Sequence, residues 1–255
     1  MLASIMLAPV YLGAPPQAKV VTKLLSPEAP QAPEEMINAC KLKRPCVEGS
    51  LAAALLNVRV ISVKSDDERR AAFSTEAERE GLNFTFFDAI IPDSQPPYDE
   101  MIKAAEPYPF KSLKPLQFAT AASHRAMHLE TVQTNSPAMM VFEDDALLTP
   151  GFVAKVKAIQ APAFDTFDIL KLEHCGNRQQ LAGPDEIPTV IESFPHWACG
   201  ACYVITQRGA KLLSEANTPL WANSDGIMDP RHLNDVGLNI VALAAIPKLA
   251  KQPWQ

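Results

Sequence analysis

Two hydrophobic periods take turns along this chain. Val58-Arg-Val-Ile-Ser-Val63 is short, apolar and β-branched, the pattern of a buried strand. Ser65-Asp66-Asp67-Glu68 follows with capping-box spacing, in which the Ser hydroxyl and the Glu carboxylate satisfy each other's free backbone donors. A helix is therefore predicted from there to Gly81, a C-cap glycine. Asn83-Phe-Thr-Phe-Phe87 then alternates and reads as a second strand, ending at Asp88-Ala89-Ile90. Such a β-α-β opening is the usual start of a parallel sheet.

The pattern lapses between Pro92 and Pro115, a Pro-rich stretch read as a long loop, and loops of that length tend to be functional. A helical period returns over Leu116 to Thr134, with Ser123, His124 and His128 in its middle. Pro137 to Phe142 is a continuous apolar run of strand length that delivers Glu143-Asp144-Asp145 at its C-terminal end. Thr149-Pro150 supplies an N-cap and a first-turn proline, predicting a helix from Gly151 to about Gln160. Phe167 to Leu172 and Cys202 to Thr206 read as strands, Gly209 to Ala216 as a short helix and Leu238 to Ala244 as a last strand. The expected fold is α/β with a mostly parallel central sheet, in one catalytic domain spanning residues 53–255. Residues 1–52 read as an N-terminal extension: Ala14 to Cys46 is rich in Pro, Ala, Glu and Lys without a sustained period, and is expected to be poorly ordered or surface-packed. Its opening apolar residues resemble a signal h-region but lack a basic n-region and are interrupted by Pro9.

Composition narrows the function. With 255 residues, 47% hydrophobic and 20% charged, the chain has ordinary globular make-up and ample length for a buried core. A net charge of -6 and the lack of a basic stripe argue against nucleic acid as a partner. No apolar run approaches a bilayer span. Five cysteines, few and odd in number, suit a reducing cytoplasm rather than a disulfide scaffold. Cys199-Gly-Ala-Cys202 lacks a second pair at zinc spacing and runs into an apolar stretch, so it reads as two small residues entering a strand.

Three consecutive carboxylates at a strand's C-terminal end are costly unless something positive shares them, and ligands of open α/β sheets bind at that end. One reading is a Mg²⁺ or Mn²⁺ site that stabilises charge on a departing diphosphate. The other is an exposed acidic loop ahead of a helix. The tripeptide alone leaves both standing. His124 and His128 have the spacing of a zinc pair, but Arg125 occupies the place where a metalloprotease helix needs Glu. Buried structural histidines are the rival reading for both. Arg69 and Arg70, early in the capped helix, are candidates for reaching a diphosphate or for a solvated face. Trp197 and Trp221 are candidates for stacking on a sugar ring or for core positions.

Taken in order, these segments resemble glycosyltransferase family 25, whose bacterial members include lipooligosaccharide galactosyltransferases. The likeness runs from Val58 to Gln252. It comprises Asp67-Glu68-Arg69-Arg70, Phe87-Asp88-Ala89-Ile90, Ser123-His124, Val141-Phe142-Glu143-Asp144-Asp145-Ala146 and Asp168-Ile169-Leu170-Lys171-Leu172. It continues through Gly200 to Thr206 with Gly209-Ala210, then Asp225, then Pro247 to Gln252. Ala119-Thr120 stands where many members carry Gly-Cys, and the arm before Asn57 has no counterpart in the short bacterial enzymes.

The resemblance implies a GT-A-like fold and an inverting transfer of a hexose, most simply galactose, from a UDP-sugar. The acceptor would be a saccharide, or a lipid-linked oligosaccharide that brings a cytoplasmic enzyme to the inner face of the membrane as a peripheral protein. It implies Glu143 and Asp145 as ligands of Mn²⁺ or Mg²⁺, and Arg69, Asp88, Ser123, His124 and Asp144 as donor-binding residues. Inversion needs a base for the acceptor hydroxyl. Asp225 is the first candidate, with Glu173 and Asp229 in reserve, although Asn223-Ser-Asp-Gly226 is also an ordinary turn sequence. A catalytically degenerate carbohydrate- or nucleotide-binding protein is the alternative. A metal-dependent phosphohydrolase lacks a second carboxylate and histidine set.

Overall fold

The computed structural model describes residues 47–92, 114–160, 166–175, 181–192, 199–217, 220, 222–229 and 239–253. The arm up to residue 46, most of the expected 92–115 loop, Trp197 and Trp221 lie outside the described residues. The elements are α1 (Val47–Leu55), β1 (Val58–Ser62), α2 (Asp67–Glu80), β2 (Thr85–Asp88), α3 (Pro115–Gln133), β3 (Ala138–Glu143), β4 (Leu147–Leu148) and α4 (Phe152–Ala158). After them come β5 (Ile169–Lys171), β6 (Thr189–Glu192), β7 (Cys202–Thr206), α5 (Gln207–Ala216), α6 (Ser224–Ile227), β8 (Ala242–Ile246) and β9 (Ala250–Lys251).

Seven strands form one sheet in the order β2-β1-β3-β7-β5-β8-β6. β1, β2 and β3 are parallel, β7 runs against both β3 and β5, β8 is parallel to β5, and β6 runs against β8. The sheet is thus mixed: five strands share one direction, and β6 and β7 oppose them. The carboxyl ends of β3 and β5 consequently lie on either side of the start of β7. That juxtaposition builds the site.

Helices cover both faces. β3 shows why its sequence does not alternate: Ala138, Met140 and Phe142 pack into one core with Leu51 and Ala54 of α1, Phe73 of α2 and Phe152 of α4. Met139 and Val141 pack into the other with Met127 of α3 and Leu213 of α5. A strand buried on both faces gains nothing from polar positions. Phe142 anchors its end, with Phe73 at 5.3 Å and Phe152 at 5.7 Å between ring centroids.

The expected elements form, with shifted ends. Asp66, rather than Ser65, caps α2 by accepting from the Arg69 amide. Gly81 closes the helix at φ 64°, as a left-handed C-cap. Gly151, rather than Thr149, precedes α4, and the Glu80 carboxylate takes the Phe152 amide at 2.7 Å. The capping partner comes from a distant helix, which local pattern does not reveal. α1 lies across the expected boundary at residue 53, with Leu51 and Ala54 in the core. β4 pairs with β9, antiparallel and far apart in sequence. Among the described residues, no helix is long and apolar enough to cross a membrane.

Gly209 follows from the packing of α5 on β5. A Cβ there would collide with the backbone carbonyl of Asp168, which cannot swing aside. Gly209→Ala is therefore expected to destabilise the fold by about 1–3 kcal/mol or more, because overpacking forces backbone to move. A denaturant midpoint within error of the parent would contradict this.

Candidate active site

β3 ends in Glu143, and the chain turns at Asp144 and Asp145. Each of these carboxylates meets a donor from a different part of the fold. Arg69 of α2 gives Nη1 to Asp144 Oδ1 at 2.9 Å, with Nη2 3.8 Å from Asp145 Oδ2. Glu143 Oε1 lies 3.0 Å from His124 Nε2 of α3. Gln252, placed by the β4–β9 pairing, donates Nε2 to Glu143 Oε2 at 3.1 Å and to Asp145 Oδ1 at 3.2 Å.

A second carboxylate group stands beside this one. Glu173, just past β5 and fully buried, accepts the Ala201 amide at 3.2 Å. The Ala201 carbonyl in turn accepts the Glu143 amide at 2.9 Å, so one residue separates the two groups. Asp225 of α6 accepts the Cys199 amide at 2.8 Å, and Lys171 donates Nζ to the Cys199 carbonyl at 3.2 Å. Cys175 and Cys199 form a disulfide.

The family-25 sequence profile, described as a lipopolysaccharide (LPS) biosynthesis family, matches residues 56–228, more than half of the chain. The chain belongs to glycosyltransferase family 25. It is similar to the lacto-N-neotetraose biosynthesis glycosyltransferase LgtB of Neisseria meningitidis serogroup B, 33% identical over 165 residues, which is 60% of this chain and 58% of that protein. It is also similar to LgtE of Neisseria gonorrhoeae, whose name carries the same activity, 32% identical over 168 residues, 53% of this chain and 59% of that protein. The chain spans a little under three-fifths of the length of these curated relatives.

Within this family-25 site, charge is unevenly compensated. Burial, reinforced by Glu143, raises the Asp145 carboxyl above its ordinary value, against the opposing pull of Gln252 and Arg69. Among the described residues one guanidinium answers the triplet, Arg69, which pairs with Asp144 and Asp145, and Gln252 brings a dipole but no charge. That surplus of hard oxygen charge fits a divalent cation held by Asp145 and Glu143. The fit has a limit: among the described residues, the acidic triplet does not bring three ligand atoms to one point, whereas Glu173, Cys175 and Cys199 do, with both sulfurs in the disulfide.

The hydrogen-bond chain behind Glu143 runs into the core. Tyr203 Oη lies 3.1 Å from His124 Nδ1 and 3.2 Å from His128 Nε2. His128 Nδ1 is buried and finds no partner among the described residues. An orphaned lone pair costs less than an orphaned N–H, so the His128 proton belongs on Nε2 and donates to the tyrosine oxygen. Tyr203 then donates to His124 Nδ1, and His124 donates Nε2–H to Glu143. The opposite polarity would point a bare lone pair at the carboxylate.

The other expected site residues are placed as follows. Ser123 is buried, accepts the Ile90 amide and donates to Ala119, fixing the chain after β2 to α3. Asp88 is half exposed, pairs with Arg70 at 2.6 Å and Lys64 at 3.2 Å, and is held below the usual carboxylate range first by the Arg70 hydrogen bond. Among these hydrogen bonds and ion pairs of the described residues, none joins Asp88 or Ser123 to the acidic triplet. Cys199 corrects the reading of Cys199-Gly-Ala-Cys202 as two strand residues: its partner is Cys175, 24 residues away, while Cys202 alone enters the strand. Sequence reasoning gave no role to Tyr203, Gln252 or Lys171. A tyrosine and a lysine inside apolar strand runs were the available signal, because each must find a polar partner there.

Burial depresses His128 to about 3, with His124 and Arg125 adding repulsion. The unfolded chain therefore binds a proton that the folded chain refuses between about pH 6.5 and 3, and stability falls as pH drops through that window. From neutral pH to pH 5 this one residue is expected to cost about 2 kcal/mol. His128→Gln should remove that share of the acid loss in urea titrations at the two pH values, and an unchanged pH dependence would contradict the buried neutral state.

Proposed function

We propose that the chain is an inverting hexosyltransferase. It moves galactose, or a close relative, from a UDP-sugar to a saccharide acceptor of a lipooligosaccharide or similar glycoconjugate. The observation that carries this reading is the pair of carboxylate groups on the same sheet edge, joined through Ala201. A single displacement at an anomeric carbon needs two such functions side by side, one for the leaving diphosphate and one for the incoming hydroxyl.

On this reading, in a GT-A-like arrangement, Arg69 reaches the donor diphosphate from α2 while anchoring Asp144, and His124 lines the donor pocket. Asp88 acts at the rim, and Ser123, buried in α3, holds the chain after β2 against that helix. Mn²⁺ or Mg²⁺, held by Asp145 and Glu143, would supply positive charge against the leaving nucleoside diphosphate. Asp225 takes the acceptor hydroxyl proton as that oxygen bonds to the anomeric carbon and the bond to the diphosphate breaks. Glu173, more deeply buried and tied to the Ala201 amide, is the reserve base. The description of the family as one of LPS biosynthesis supports a lipid-borne saccharide acceptor, which would bring the enzyme to a membrane surface as a peripheral protein.

Thermal unfolding with UDP, UDP-galactose and UDP-glucose, with and without Mn²⁺, tests the donor site. At about a hundred times its dissociation constant a true ligand stabilises by about 2.7 kcal/mol. The expected result is stabilisation that needs metal and disappears in Asp145→Asn. No shift with any nucleotide would favour a degenerate binding protein. Asp225→Asn should keep the donor shift and lose turnover by about 100-fold or more.

A further inference from the structure

Lys171 occupies an odd position for an ammonium. It ends the short central strand β5, is almost wholly buried, and faces the carboxyl edge of the sheet. A buried charge is expensive unless paired and hydrogen-bonded. Its neighbours explain it. Burial lowers its basicity, while Asp225, Glu173 and Asp229 all act to hold its proton. These carboxylates come from α6, from the segment just after it, and from the end of β5. His174 faces the same ammonium and is pushed down to about 4, chiefly by its own burial.

The backbone between them is equally constrained. Cys199 has φ 78°, a left-handed conformation uncommon for a residue with a side chain. Three ties hold it there: Lys171 on its carbonyl, Asp225 on its amide and Cys175 on its sulfur. Such a conformation persists where the surroundings over-determine it, and it clusters at functional sites. Lys171 and Asp225 thus grip opposite faces of one peptide turn.

We propose that Lys171 is a positioning residue for the transfer reaction: its buried ammonium holds the Cys199 turn beside Asp225, Glu173 and Asp229, so that the Asp225 side chain is fixed toward the acceptor hydroxyl. This rests on the reading of Asp225 as the base. The ammonium touches neither donor nor acceptor. It acts through the turn and through its field, which is strong where water is excluded. Its contribution belongs to the chemical step, so losing it lowers kcat and leaves donor binding alone.

The test follows UDP release from UDP-galactose with Mn²⁺ and truncated fragments of lacto-N-neotetraose as acceptors, across pH, for the full chain and for Lys171→Met, Lys171→Arg and Asp225→Asn. Lys171→Met is expected to lower kcat by about tenfold or more with the donor KM within about twofold. Lys171→Arg should recover most of the rate at neutral pH. It should also move the alkaline fall in kcat to higher pH, because a guanidinium keeps its proton where a buried ammonium loses it. A purely structural lysine would not move that limb. Undiminished turnover in Asp225→Asn would overturn the base assignment itself. With Asp225→Asn inactive, near-parental kcat in Lys171→Met, or an alkaline limb unmoved in Lys171→Arg, would overturn the role of Lys171. Should Lys171→Met fail to fold by circular dichroism, the limb in Lys171→Arg alone decides.

Discussion

Negative charge crowded at one edge of a buried sheet is the constraint on which the rest of this molecule depends. Glu143, Asp144, Asp145, Glu173 and Asp225 gather where β3 and β5 end and β7 begins, and carboxylates withdrawn from water must each find donors. The fold supplies them from separate places: Arg69 from α2, His124 from α3, Gln252 from beyond β9, and the amides of Ala201 and Cys199 from the entry to β7. Elements far apart in sequence are therefore held together by the same groups that would meet a substrate. Asp144, buried, would lose its charged partner without Arg69, so this end of the acidic cluster is coupled to the seating of α2.

The reversed strand is what makes this arrangement possible. Had β7 run parallel to its neighbours, its carboxyl end would have joined theirs, and the two acidic groups would have been divided by another departing loop. Because it enters at that edge, Ala201 lies between Glu143 and Glu173, accepting the Glu143 amide and donating its own amide to the Glu173 carboxylate. The same strand carries Tyr203 inward, where its hydroxyl joins His128 and His124 to Glu143. The site is thus backed by a polar chain that fixes the direction of its hydrogen bonds, and burial keeps its innermost member, His128, from taking a charge.

Much of this was legible in the sequence, and what was not follows a pattern. β3 and the acids behind it could be read because a doubly buried strand is a continuous apolar run with an abrupt polar end. Gly81 could be read because a left-handed cap has a local cause. The cap of α4 was misread because its acceptor, Glu80, comes from α2. The β4–β9 pair, and with it the place of Gln252, is a two-residue ladder between distant segments and leaves no periodicity. The Cys175–Cys199 bridge leaves no local signal, because its partners are 24 residues apart and Cys202 stands nearer at a regular spacing. Local signals gave the elements, and long-range pairing gave the site.

Charge balance separates the two halves of the edge. Around Asp145, Glu143 and Asp144 the guanidinium among the described residues is that of Arg69, about half exposed; its partial burial lowers its basicity, but Asp144 and Asp145 outweigh that and raise it. Around Asp225, Glu173 and Asp229 there is Lys171, buried and with its basicity lowered by that burial. An exposed guanidinium can be shared with an incoming diphosphate, and hard oxygens left in surplus beside it suit a metal that arrives with the donor. An ammonium sealed in the core cannot be shared. It belongs to the protein itself. On the proposed reading this is the division that an inverting transfer requires: a leaving-group side whose charge is completed by substrate and metal, and a base side whose charge is set before either arrives.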